Sequence, residues 1–224
     1  MNPDGYARAS RRLNRGFTGR RTNARSVDLN RNFPYPNGVK PKNMLAGSKR
    51  KISPNYLGPY PLSEPESMAL DKFVKKHKFF VAVNFHTTGS FFVFPWGFKP
   101  DATPHKEYFE RMGAVFNEHQ NKSKYTVQQS SEWYQTVGDL DDWLYARYGV
   151  LSLTVEVAKK DKRLLNPIRA INPFWWYNPT NIEEWIDNDR DATMLAIEKA
   201  FELTGGQPLP ERKFDWVLPE GYVD

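Results

Sequence analysis

Residues 79–97 read FFVAVNFHTTGSFFVFPWG, two short apolar runs separated by His-Thr-Thr-Gly-Ser and stopped by Pro-Trp-Gly. Phe and Val dominate both runs, the composition expected of strands. Each is too uniformly apolar to leave one face in water, so both are read as central strands of a covered sheet. Just upstream, SEPESMALDKFVKKHK (63–78) opens with Ser and acidic residues and carries Met68, Leu70, Phe73 and Val74. It reads as a capped helix with its apolar side inward. Downstream, HKEYFERMGAVFNEHQNK (105–122) is a second amphipathic helix, with Tyr108, Met112, Val115 and Phe116 near one stripe. KYTVQQS then reads as a strand, DLDDWLYARY as a helix and VLSLTVEVA as a buried strand. NIEEWIDNDRDATMLAIEKAFELTGG reads as a long helix closed by Gly-Gly. Helices alternating with apolar strands indicate an α/β fold. Residues 1–62 read as long loops in which only SVDLNRNF looks like a strand running into a turn. No repeat or linker divides the chain, so residues 1–224 are taken as one domain.

Composition narrows the classes. Hydrophobic residues make up 39% and charged residues 26% of the 224, which suits a globular domain. With no cysteine, thiolate metal sites, Cys nucleophiles and disulfides are excluded together. No apolar stretch approaches the roughly 20 residues of a membrane span, and MNPDGYARAS lacks the apolar core of a signal peptide. The net charge of +6 is uneven: Arg8, Arg11, Arg12, Arg15, Arg20, Arg21, Arg25 and Arg31 face only Asp4 and Asp28. Such an arm can hold phosphates, hold carboxylates, or be a solvated basic surface. Aromatic residues do not interleave with these arginines as a nucleic-acid stacking platform requires, so no nucleic-acid partner is expected.

Three features at strand ends stand out: His86 after FFVAVNF, Glu156 within SLTVEVA, and Asn30-Arg31 in VDLNRNF. A carboxylate in an apolar strand is costly to bury without compensation. Glu156 is therefore either paired with a cation or assigned to chemistry. His86 taken alone reads as a hydrogen-bonded core histidine ahead of a metal ligand.

Six segments in order resemble the M14 family of zinc carboxypeptidases: NPDGY (2–6), VDLNRNF (27–33), NYLGPYPLSEPES (55–67), HTTGSFFVFPWG (86–97), YQTVGDLDDW (134–143) and LTVEVA (153–158). The resemblance implies a three-layer α/β/α sandwich on a mixed twisted sheet, a Zn2+ cofactor, and a peptide or protein substrate with a free C-terminus. Carried over by position, His86 resembles a zinc ligand and Glu156 the general base acting on zinc-bound water. Arg15 resembles the arginine that stabilises the oxyanion. Asn30 and Arg31 resemble the clamp on the substrate carboxylate, and Tyr134 the tyrosine that closes over it. Asp141 stands where members preferring C-terminal Lys or Arg carry an acid. Beside Asp139 and Asp142 it also reads as an ordinary acidic helix start. Thr88 stands where many members have an aromatic residue.

The family's other two ligands lie in a His-x-x-Glu motif, and none of His77, His86, His105 and His119 is followed by Glu three residues on. Two expectations follow: the sequence lacks the N-terminal part of the domain, or it is whole and binds peptide C-termini without cleaving them. The first would fit an exported, secreted or periplasmic enzyme.

Overall fold

A computed structural model describes residues 21–159, 178–179 and 181–223. A 3-10 turn at Leu29–Arg31 leads to β1 (Tyr35–Pro36), α1 (Pro65–Lys76), β2 (Val81–Thr87), β3 (Phe91–Phe94) and α2 (Lys106–His119). There follow β4 (Thr126–Gln129), the single turn α3 (Ser130–Trp133), α4 (Leu140–Tyr148), β5 (Leu151–Val157), α5 (Ile182–Thr204) and β6 (Trp216–Val217).

The main sheet has the order β2-β5-β3-β4. β2 runs parallel to β5 and β3 parallel to β4, whereas β3 and β5 are antiparallel, so the sheet is mixed. β1 and β6 form a separate antiparallel ribbon. Side chains alternate across a strand, and β5 exploits this. Leu151, Leu153 and Val155 enter the main core with Phe92 and Phe94 of β3, Phe109, Met112 and Phe116 of α2, and Ala192, Ala196 and Ala200 of α5. Each large side chain removed from water there contributes roughly 2 kcal/mol. Small alanines on α5 let it approach α2 closely. On the opposite face of the sheet, Val74 of α1 packs with Leu144 of α4 and with Val150. The result is three layers: α2 and α5, the sheet, then α1 and α4.

Helix ends follow local chemistry. Asp139 caps α4, its carboxylate accepting from the Asp142 N–H at 2.9 Å, and Gly149 closes the helix in the left-handed conformation. Gly205 does the same for α5. α1 begins differently from expectation: Pro65 occupies its first position, and its cap Glu64 makes no side-chain capping bond. Phe73, expected inward, is exposed and lies against the His77 ring instead.

Two expectations are corrected. SVDLNRNF holds no strand; residues 29–31 form the 3-10 turn, because the Arg31 and Asn32 N–H groups bond back to the Asp28 and Leu29 carbonyls rather than to a neighbouring strand, and the Asn32 side chain ties the turn to residues 57–67. Its amide donates to the carbonyls of Leu57 and Tyr60, and its Oδ1 accepts from Glu64 N–H and Ser67 Oγ. FFVAVNF is not central: among the described residues β2 is an edge of the sheet. Phe85 is 56% exposed, facing an apolar groove of about 660 Å³ shared with Ile182, Ile186 and Met194 of α5. β3, from the other apolar run, is central as expected.

Candidate active site

The 3-10 turn aims Arg31 inward. Its guanidinium donates from Nη1 to the Asn30 carbonyl at 2.6 Å and from Nη2 to the Leu45 carbonyl at 3.2 Å. Nη2 also lies 3.5 Å from the Tyr134 hydroxyl. Arg31 is only 2% exposed, its Nε is buried without a hydrogen-bond partner, and among the described residues it forms no ion pair. Asn30 turns its Oδ1 to the Leu140 N–H at 3.0 Å, so half of its amide is spent on the start of α4. Tyr134 is half-buried and held by the 134–139 loop. Gly138 sits there at φ +74, and a Cβ would come within 2.5 Å of the Arg31 carbonyl oxygen. Phe33 N–H donates to the Gly138 carbonyl at 3.0 Å, so the clamp turn and the tyrosine loop are laced together.

The polar face of the sheet carries the second part of the site. Cross-strand register pairs Asn84 with Thr154 and His86 with Glu156, and Ser152 lies two residues before Thr154 on the same face. Asp141, on the first turn of α4, accepts from Ser152 Oγ and Thr154 Oγ1, both at 2.6 Å, and from the Asn84 amide. Burial and the nearby Asp139 carboxylate raise its pKa to about 6, against the two hydroxyl donors, which favour the ionised form. Its neighbours do different work. Asp139 caps the helix, and Asp142 accepts from the Gly97 and Phe98 N–H groups. Burial and Asp139 push Asp142 upward too.

Glu156 is 7% exposed, with Oε1 3.5 Å from His86 Nδ1. Burial disfavours a charged His86, but the hydrogen bond and charge of Glu156, with Asp141 farther off, outweigh it. The imidazole is held above its ordinary value, with Arg21 opposing. Arg21 passed in the sequence as one more charge of the basic arm. It pairs through Nε with Asp28 at 2.7 Å, and its charge is felt by Tyr134, Glu156 and His86. Nothing in the sequence pattern separates it from Arg20 or Arg25. Thr88 is buried, and its hydroxyl donates to the Ala158 carbonyl at 2.7 Å. Arg15 and the NPDGY segment lie outside the described residues.

Zinc needs three protein ligands in a catalytic site. Among the described residues no group of three His, Cys, Asp or Glu side chains could hold a metal. His77 packs against phenylalanines, His105 Nδ1 lies 3.0 Å from the Tyr145 hydroxyl, and His119 Nδ1 donates to the Val115 carbonyl. The described residues therefore do not make a zinc site by themselves; His86 is the single imidazole beside the buried carboxylate.

Residues 1–179 match the Peptidase_M14 family of zinc carboxypeptidases, and the chain belongs to that family. It is 24% identical to carboxypeptidase SOL1 of Arabidopsis thaliana, over 94% of this chain and 39% of that protein. To carboxypeptidase A1 of Mus musculus it is 28% identical, over 77% of this chain and 42% of the relative. The chain thus spans less than half the length of these relatives. Among solved structures, carboxypeptidase A from Helicoverpa armigera superposes with a TM-score of 0.59 at 19% identity, covering 90% of this chain and 49% of that one. Thrombin-activatable fibrinolysis inhibitor gives 0.58 at 24% identity, covering 79% and 41%. These likenesses show the carboxypeptidase fold, an α/β architecture on a mixed sheet. No helix among the described residues is long and apolar enough to cross a membrane.

Proposed function

We propose that this chain binds the free C-terminus of a peptide or protein and serves in zinc-dependent hydrolysis of the last peptide bond, with a preference for C-terminal Lys or Arg. Arg31 carries the reading. A buried guanidinium with an orphaned Nε and no acidic partner among the described residues is costly unless an anion arrives. A substrate carboxylate would satisfy it in the bidentate geometry that arginine favours.

In this reading the free half of the Asn30 amide adds a donor to the carboxylate, and Tyr134 closes over it. Asp141, below the polar stripe of Asn84, Ser152 and Thr154, receives a cationic side chain. Glu156 takes a proton from the attacking water and returns it to the departing amine, the role a buried carboxylate beside the reacting carbonyl can fill. Arg15 is assigned to the developing oxyanion. His86 is assigned as one ligand of Zn2+, which would supply Lewis-acid polarisation when bound. A full ligand set requires donors beyond His86.

The test has two arms. Equilibrium binding of a Lys-terminated peptide should weaken at least tenfold on amidation of its C-terminus and equally in Arg31→Ala, the loss expected for a charge-assisted hydrogen bond. Indifference to amidation would overturn the clamp. A form of the protein that also carries the His-x-x-Glu segment, given zinc, should release the terminal Lys, and Glu156→Gln in it should lower that rate by about 10² or more while leaving binding intact. Binding without release would leave a recognition module and refute the hydrolytic part.

A further inference from the structure

Between Asp28 and Glu64 the sequence has no acidic residue. Five cations nevertheless gather in 40–51: Lys40, Lys42, Lys49, Arg50 and Lys51. All five are exposed, and among the described residues none forms an ion pair. Met44, Leu45 and Ile52 are interspersed and exposed as well, Ile52 at 94%. The segment is nonetheless ordered at its base. Ser48 N–H donates to the Asn55 carbonyl at 2.8 Å, Leu57 N–H to the Ser48 carbonyl at 2.9 Å, and the Asn55 amide to the Met44 carbonyl at 2.8 Å.

Its position gives the charge a purpose. The Leu45 carbonyl accepts from Arg31, the Ala46 carbonyl accepts from the Val137 N–H at 2.9 Å, and Lys42 N–H donates to Gln135 Oε1. The basic loop is therefore bonded both to the carboxylate clamp and to the loop that carries Tyr134. A polypeptide held at Arg31 by its C-terminus advances about 3.3–3.6 Å per residue as it leaves, so its next few residues come within reach of this rim. An uncompensated positive rim around a cleft raises the local concentration of anionic partners and speeds their capture.

We propose that the 40–52 loop is a second recognition surface that selects substrates carrying an acidic segment a few residues upstream of the C-terminal residue. This rests on the carboxylate-clamp reading of Arg31. A polypeptide fits better than a nucleic acid, because no aromatic residue occurs from 37 to 55 on which bases could stack, whereas Met44, Leu45 and Ile52 offer apolar contact to side chains.

The test uses N-terminally labelled peptides ending in Lys, with either Glu or Gln at the third to sixth residues from the end, each as free acid and as amide. The acidic free acid should bind about tenfold or more tighter than its Gln counterpart at ~0.05 M salt, with the advantage shrinking at ~0.5 M. Lys49→Glu/Arg50→Glu/Lys51→Glu should remove that advantage, as should the milder Gln replacements, while the Gln free acid binds as before. Equal binding of the acidic and neutral free acids overturns the proposal and leaves the clamp standing. Equal binding of the Gln peptide as free acid and amide refutes the clamp instead. Displacement of the acidic peptide by phosphatidylserine vesicles or by an oligonucleotide at lower concentration than by unlabelled peptide would overturn it in favour of another polyanion.

Discussion

Asp139, Asp141 and Asp142 sit within four residues yet meet three surroundings: a helix N-terminus, a polar stripe on the sheet, and two backbone N–H groups. Burial makes the ionisation of both Asp141 and Asp142 oppose folding, and Asp141 is the one that faces the polar stripe. Its pKa is raised to about 6, against about 3.9 in an unfolded chain, so the folded state binds more protons between these values. Its effect on stability is therefore neutral below about pH 4 and becomes unfavourable as pH rises through 6. At neutral pH the cost is on the order of 2 kcal/mol, discounted for its partial exposure. Asp141→Asn should raise the melting temperature at pH 7–8, leave it nearly unchanged near pH 4, and abolish any preference for Lys-terminated over Leu-terminated peptides. Thermal melts across that range check it, and a gain at pH 4 alone would contradict the assignment. At this scale sequence reading went far for residues inside motifs. It named Arg31, Tyr134, Asp141, His86 and Glu156, and the fold sets Arg31 beside Tyr134, His86 beside Glu156, and Asp141 against Thr154. It missed Arg21 and Asn32, because the charge of Arg21 is felt at Glu156 and the Asn32 side chain bonds the 57–67 segment, both far along the chain, which no local pattern encodes.

Among elements, the amphipathic helices and β5 were legible because period 3.6 and period 2 are properties of contiguous residues. The place of a strand within its sheet is not. Hydropathy reports whether a strand's faces are covered, and β2 has one side turned to α5 and the other to α4; whether its edge is paired depends on chain elsewhere. SVDLNRNF misled for a related reason: β-branched and apolar residues suit a strand, but the Arg31 and Asn32 N–H groups bond back to the Asp28 and Leu29 carbonyls, and the Asn32 amide anchors the resulting turn to the distant 57–60 segment. The 134–139 loop shows what such irregular backbone supports. With φ at +74 and no room for a Cβ beside the Arg31 carbonyl, Gly138→Ala should destabilise the protein by about 1–3 kcal/mol. It should also weaken carboxylate binding more than Gly205→Ala does, where a Cβ would meet nothing within 4 Å. Chemical denaturation and peptide titration of both variants separate the two effects.

For the molecule as a whole, the main sheet is a partition. One side is an apolar core shared with α2 and α5; the other holds Asn84, His86, Ser152, Thr154 and Glu156 facing the helix that carries Asp141. β5 belongs to both sides at once, and this makes a genetic readout of the fold available without any structure. If every residue of Leu151–Val157 were replaced in turn and each variant scored separately for abundance and for peptide binding or turnover, the losses should alternate along the strand. Changes at Leu151, Leu153 and Val155 should deplete the protein, as core truncations costing 2–5 kcal/mol do. Changes at Thr154 and Glu156 should spare abundance and remove function. A strand whose substitutions failed both assays without alternation would mean that the partition is not there.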